Sequence, residues 1–120
     1  MKTKTILGVI ALQLGSVGLH AATFTVTTTN DSGPGSLREA ILQANANAGQ
    51  DTIAFDLPGA GVRVIRPLSP LPQITDSVVL DGYTQTGASV NTSPLAFNGT
   101  ILVQLDGALA GPGAAGLTFT

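Results

Sequence analysis

This chain repeats a short run of alternating apolar residues, and an aspartate closes each run. The runs cover residues 52–56, 77–81 and 102–106, so the closing aspartates Asp56, Asp81 and Asp106 stand 25 positions apart. A fixed period of this length is typical of repeat architectures in which one structural unit stacks on the next. The pattern therefore predicts a mainly β fold that begins a parallel β-helix, with one coil per repeat. Three evenly spaced strands of a β-sandwich remain an alternative.

The alternation also predicts which side chains face the interior, because successive residues of a strand point to opposite sides. One buried column is expected to contain Ile53, Val78 and Val103, and a second Phe55, Leu80 and Leu105. The outward side chains are then Ala54, Val79, Gln104 and the three aspartates. Residues 62–66 are expected to form a further strand with Val62 and Val64 inward.

One helix is predicted after the turn-rich residues 30–35. Ser36 and Glu39 have the S-x-x-E spacing of a capping box, in which each side chain accepts a hydrogen bond from a backbone amide at the helix start. The apolar face follows at helical spacing and contains Leu37, Ala40, Ile41, Ala44 and Ala48. We expect this helix, led by Leu37 and Ile41, to cover the open end of the first coil. A helix packed on one side of a small α+β domain is the alternative.

The first 22 residues have the anatomy of a secretory signal peptide. Lys2 and Lys4 precede an apolar stretch of 14 residues, 6–19, and small residues follow at Ala21 and Ala22. Cleavage after Ala22 would put His20 at the −3 position, which is unfavourable, so cleavage after Ala21 is the alternative. The mature protein is then divided into a strand and capping helix, residues 23–51, and about three coils, residues 52–120.

The sequence stops inside a segment that alternates like a strand, residues 116–120. Natural solenoids cap such an open end. We therefore expect this chain to be the N-terminal piece of a longer protein, whose downstream coils would be its partner. The third coil is incomplete under this division.

Charge and cysteine content narrow the range of partners. Without residues 1–22, three arginines face seven acidic residues and no lysine remains. This balance argues against nucleic acid as a partner and against membrane insertion by the mature segment. The absence of cysteine removes disulfides and thiolate metal sites.

Residues 35–41, with the sequence GSLREAI, resemble the motif of the CSLREA domain, which lies near the N-terminus of bacterial secreted and surface proteins. The resemblance runs from about Phe24 to Gly82, and the LDG residues 105–107 continue it. It implies export and a right-handed parallel β-helix, and the family has no assigned enzymatic activity. One departure is Gly35, which occupies the family's cysteine position.

A stacked row of Asp56, Asp81 and Asp106 would be a weak candidate for a Ca²⁺ site or for the acid and base of a glycan-cleaving site. The preferred interpretation is structural, because an aspartate that ends a strand can accept hydrogen bonds from backbone amides of the following turn. No catalytic residue, cofactor or metal site is therefore predicted. Arg63 and Arg66 could meet an acidic glycan, although solvated corner arginines are the simpler interpretation.

The composition, the leader and the resemblance favour an exported scaffold or adhesin-like protein, secreted or at the bacterial cell surface, with no chemistry of its own. Its ligand would be an unknown surface, glycan or protein. The alternative is the first part of a β-helix carbohydrate-active enzyme, similar to pectin or alginate lyases, with its active site downstream. A free-standing β-sandwich binding module is a third hypothesis.

Overall fold

The computed structural model describes residues 19–120, which contain five short strands, one α-helix and one 3₁₀ turn at Gly82–Thr84. The strands and helix, in chain order, are β1 (Thr23–Val26), α1 (Leu37–Ala46), β2 (Asp51–Phe55), β3 (Arg63–Ile65), β4 (Val78–Asp81) and β5 (Val103–Leu105). The predicted signal peptide falls mostly on residues 1–18, which lie outside the described residues. No helix within residues 19–120 is both long and apolar enough to span a membrane.

The strands form two small parallel sheets. The first has the order β1-β2-β4, and the second contains β3 and β5. Thr23 pairs with Thr52, Asp51 with Val78, and Arg63 with Val103. The paired positions are thus 29, 27 and 40 residues apart along the chain.

The predicted class, a mainly β right-handed parallel β-helix, is wrong. The described residues form a small α/β domain with few strands, and the register shows why the repeat misled. Leu80 pairs with Ile53 rather than with Phe55, and Leu105 belongs to the other sheet, where it pairs with Ile65. A regular spacing of strand-like runs therefore does not correspond to a regular stacking of strands. The sandwich alternative fails as well, because the strand pairs are parallel and not hairpins.

Helix α1 begins where the sequence predicts. The Ser36 side chain accepts a hydrogen bond from the Glu39 amide at 3.2 Å, and Ser36 has the extended backbone of an N-cap. The reciprocal half of the capping box is replaced, because the Ser36 amide donates to the Gly33 carbonyl at 3.1 Å. The helix ends at Ala46, so Ala48 lies beyond it and is exposed.

The helix packs against β1 and β2 rather than over a coil end, which corrects the predicted cap. Its buried face consists of Leu37, Ala40, Ile41 and Ala44. These side chains join a single core cluster with Val26, Ile53, Phe55, Leu57, Ile65 and Ile74. Leu80 and Leu105 are only partly buried at the edge of this cluster. The core is therefore centred between α1 and β2, not along a column of equivalent positions.

Two predicted side-chain orientations are wrong. Ala54 is buried, although the alternation pointed it outward, and it lies in the central strand of the first sheet. In β3 the buried residue is Ile65, whereas Val62 lies before the strand and is half exposed. Val79 and Gln104 are exposed as expected.

A loop between β4 and β5 is closed at its base by two backbone hydrogen bonds. Ser89 and Thr100 exchange them, with N···O distances of 3.1 and 2.8 Å. Inside the loop, the Asn91 side chain accepts from the Asn98 amide and the Asn98 side chain from the Thr92 amide. Leu95, at the tip, is almost fully exposed.

Candidate functional site

The aspartates singled out by the sequence occupy strand ends, and two of them accept hydrogen bonds from the turns that follow. Asp81 Oδ1 accepts from the Tyr83 amide at 3.0 Å and so caps the 3₁₀ turn. Asp106 Oδ1 accepts from the Ala108 amide, also at 3.0 Å. Both contacts are Asx-turns, in which a side-chain oxygen satisfies an amide two residues on.

The structure does not bring the three aspartates into one row. Asp81 is paired with Ala54, two positions before Asp56, and Asp106 follows a strand of the other sheet. The Asp56 side chain is exposed, and its amide donates to the Val26 carbonyl at 2.9 Å. Across residues 19–120 no three His, Cys, Asp or Glu side chains converge as metal ligands would, and these residues enclose no pocket.

Asp106 has a second partner in Arg66, whose Nε donates to Oδ2 at 3.0 Å. The hydrogen bond from the Ala108 amide, and secondarily that from Arg66, lower the pKa of Asp106. Arg63 instead donates to carbonyls of its own loop, those of Pro58, Gly59 and Gly61. Both arginines considered for an acidic glycan thus have partners within the chain.

A denser cluster surrounds Arg38, on the outer side of the helix start. Its guanidinium donates to the Asp31 carbonyl and carboxylate at 3.2 and 3.0 Å, and to the carbonyls of Ser69 and Pro70 at 2.9 and 2.7 Å. Asp31 Oδ1 also accepts from the Leu68 amide at 2.8 Å. This amide, followed by Arg38, lowers the pKa of Asp31. The cluster connects the helix start to residues 67–72, a corner segment that contains three prolines.

Asp51, at the start of β2, is a fully buried carboxylate. Its Oδ1 accepts two hydrogen bonds, from the Ala22 amide at 2.9 Å and from Asn47 Nδ2 at 2.7 Å. Its Oδ2 is buried and has no hydrogen-bond partner among the described residues. Such an atom is unusual, because buried polar groups are nearly always paired.

Side chains also extend the first sheet beyond β4. Thr84 Oγ1 accepts from the Phe55 amide at 2.7 Å and donates to the Asp81 carbonyl at 2.6 Å. Gln85, buried, bonds both backbone groups of Leu57. The backbone after β2 is therefore satisfied by side chains at a point where a neighbouring strand is missing.

Sequence reasoning assigned no contact to Asp31, Arg38, Asp51 or Gln85. The hydrogen bonds of Asp51, Gln85 and Arg38 join segments that lie 28 to 32 residues apart in the chain. Asp51 carried a general signal, because an acid that opens an apolar strand is expected to accept hydrogen bonds, but the sequence does not show from which segment.

Comparisons with known proteins show a similarity to part of an enzyme. No family model matches the chain, and no solved structure matches it. The 3-dehydroshikimate dehydratase of Acinetobacter baylyi is 38% identical to it over 110 residues. The match includes 88% of this chain and 22% of that enzyme, so the chain spans about a fifth of the length of the curated relative it matches. The similarity is to one part of a larger enzyme.

Proposed function

We propose that the chain is an exported structural segment whose acidic side chains stabilise turns instead of binding a substrate. The proposal is carried by the hydrogen bonds that the carboxylates accept from the backbone. Asp31, Asp81 and Asp106 each accept a hydrogen bond from a backbone amide of a turn or corner. A carboxylate used in this way is an integral part of the backbone hydrogen-bond network.

The segment that resembles the CSLREA motif supports a structural function. Gly35 has a φ of 78°, and its carbonyl accepts from the amides of Thr27 and Thr28 at 2.9 and 3.2 Å. A Cβ at this position would collide with the Thr27 hydroxyl. Gly35 therefore joins the end of β1 to the helix start, a joint in which the cysteine of the family motif would be strained.

Export is proposed from the leader-like residues 1–22 and from the resemblance to secreted and surface proteins. The test is expression of the whole chain in a bacterial host, followed by fractionation. We expect a shortened product in the periplasm or the medium. A full-length product confined to the cytoplasm would refute the export proposal.

The proposed use of the aspartates is tested by calorimetry with Ca²⁺ on the mature chain. No saturable binding is expected, and Asp81→Asn should give the same flat titration. A micromolar dissociation constant that Asp81→Asn abolishes would replace the structural assignment by a metal site.

A second candidate function follows from the relative: the chain is part of a dehydratase that acts on 3-dehydroshikimate. The 38% identity over 110 residues favours it. A chimera of the Acinetobacter enzyme, with this chain replacing the matching segment, separates the two functions. If the segment is structural, Asp81→Asn and Asp106→Asn in the chimera lower thermal stability and leave kcat unchanged. A loss of kcat at unchanged stability would instead assign catalysis to the segment.

A further inference from the structure

The buried carboxylate of Asp51 lies against the predicted site of leader cleavage. The Ala22 amide donates to Oδ1 at 2.9 Å, and the Ala22 carbonyl accepts from the Thr52 amide at 2.8 Å. Ala22 is therefore held from both sides beside β2. Ala21, in contrast, is exposed, as are His20 and Leu19.

We propose that cleavage between Ala21 and Ala22 places the new α-ammonium group of Ala22 against Asp51, so that processing completes the pairing of this carboxylate. The proposal rests on the export proposed above. In the reaction, water adds to the Ala21 carbonyl carbon as the bond to the Ala22 nitrogen breaks. Ala21 leaves as a carboxylate, and the Ala22 nitrogen becomes an amine that is largely protonated at neutral pH.

Cleavage supplies the hydrogen-bond donor that Asp51 Oδ2 lacks. Before cleavage the Ala22 nitrogen carries one hydrogen, which Oδ1 accepts. After cleavage it carries three hydrogens and a positive charge, so the adjacent Oδ2, which has no partner among the described residues, gains a donor beside it. A buried carboxylate without a countercharge is costly, and an ammonium group with matching hydrogen bonds offsets that cost.

The geometry also selects between the two cleavage sites. Cleavage after Ala22 would remove both backbone contacts that hold this residue to Asp51 and Thr52. Cleavage after Ala21 keeps them and gives up contacts of His20, among them the bonds to the Ala48 carbonyl and the Asn47 side chain. Asn47 retains its 2.7 Å bond to Asp51. We therefore assign Ala22 as the first residue of the mature protein.

The first measurement is the mass of the exported product. A chain that begins at Ala22 supports the assignment. A chain that begins at Thr23, or at another residue, overturns it while leaving export intact. An uncleaved cytoplasmic chain refutes export itself, so the two failures are distinguishable.

The second measurement isolates the ammonium group. Residues 22–120 contain no lysine, so acetylation of the unfolded chain modifies the α-amine as its sole primary amine. Free and acetylated forms, made from a fusion whose protease leaves Ala22 first, are compared by urea unfolding. We expect the free amine to raise the folding equilibrium constant at least about tenfold. Equal stabilities of the two forms would refute the pairing.

Asp51→Asn should reduce this difference to less than about twofold, since the charge partner is gone. The matched control is Asp56→Asn, the same substitution on an exposed carboxylate just after the same strand, which should leave the difference intact. If Asp51→Asn fails to fold, labelling of the wild-type amine decides. Slow reaction with an amine-selective reagent, at least about tenfold below the urea-unfolded rate, supports burial against Asp51, and an equal rate refutes it.

Discussion

Gln85 and Leu57 form a reciprocal pair of hydrogen bonds between a side chain and a backbone. Gln85 Oε1 accepts from the Leu57 amide at 2.8 Å, and Gln85 Nε2 donates to the Leu57 carbonyl at 3.0 Å. Gln85 is almost fully buried. Its amide group thus replaces the peptide group that an adjacent strand would have supplied to Leu57.

Replacing this amide should be costly. Gln85→Met keeps a long unbranched side chain but leaves the buried N–H and C=O of Leu57 unpaired, so we expect a loss of roughly 2–5 kcal/mol in the free energy of unfolding. The control is Gln104→Met, on an exposed position of β5, which should change it by less than about 0.5 kcal/mol. Urea denaturation measures both. Similar values for the two variants would mean that water replaces the Gln85 amide.

Replacing Arg38 by lysine should lower the stability of the fold. A lysine keeps the charge but cannot direct donors to Asp31, Ser69 and Pro70 together, so Arg38→Lys should lower the free energy of unfolding by about 1–3 kcal/mol. Arg66→Lys is the control, because Arg66 is half exposed and makes one hydrogen bond to Asp106. Its cost should stay below about 1 kcal/mol. An Arg38→Lys protein as stable as wild type would show that the corner holds without the guanidinium.

Acid should weaken the fold through Asp31 and Asp106. Amide and arginine hydrogen bonds lower the pKa of both carboxyls below the ordinary value of 3.8. Protonation therefore favours the unfolded chain: the stabilisation is fully present above pH 3.8 and is lost as the pH falls through the lowered folded-state pKa.

The measurement is urea unfolding at neutral pH and at successive acidic values. Asp31→Asn and Asp106→Asn should each make the acid-induced loss of stability shallower. Their effects should add in the double variant, because the two clusters share no partner. An unchanged pH dependence in both variants would contradict the assignment.

The paired residues Ile53 and Leu80 should differ in their response to truncation. Ile53 is fully buried, so Ile53→Ala should cost about 2–5 kcal/mol. Leu80 is partly exposed, so Leu80→Ala should cost clearly less than Ile53→Ala. Thermal and urea unfolding of both variants provide the comparison. Equal costs would favour the two equivalent columns that the sequence pattern suggested.

Loss of the helix cap should act through Ser36 rather than Glu39. The Ser36 hydroxyl accepts from the Glu39 amide and donates to the Gly33 carbonyl at 2.7 Å, so Ser36→Ala should cost about 0.5–2 kcal/mol. Glu39→Ala should cost less than about 1 kcal/mol, because the Glu39 side chain then contributes through the helix dipole alone. The test is urea unfolding of each variant, and a larger effect of Glu39→Ala would restore the full capping box.

The local pattern predicted where the strands and the helix lie far better than how they pair. Alternation correctly marked residues 52–56, 77–81 and 102–106 as strand-like, and the S-x-x-E spacing marked the start of α1. Alternation describes one strand against its own two faces and contains no information on its neighbour. The sequence pattern therefore could not show that β5 lies beside β3 in a second sheet. For the same reason it could not show that Asp106 is separated from Asp81.

The contacts of the candidate site also divide into local ones, which the sequence could predict, and long-range ones, which it could not. That Asp81 and Asp106 bond to their own turns could be anticipated, because an Asx-turn involves residues only two apart. The contacts of Asp51 with Ala22 and of Gln85 with Leu57 could not, since each depends on which distant segments the fold brings together.

The loop closed by Ser89 and Thr100 has a practical consequence for engineering. Its two ends are already fastened to each other, so the entropy of joining them changes little when residues are added between them. Its tip residue, Leu95, is almost fully exposed. A foreign peptide or a whole small domain inserted at this tip would be displayed in solvent, on a closed stem, without altering the sheets below.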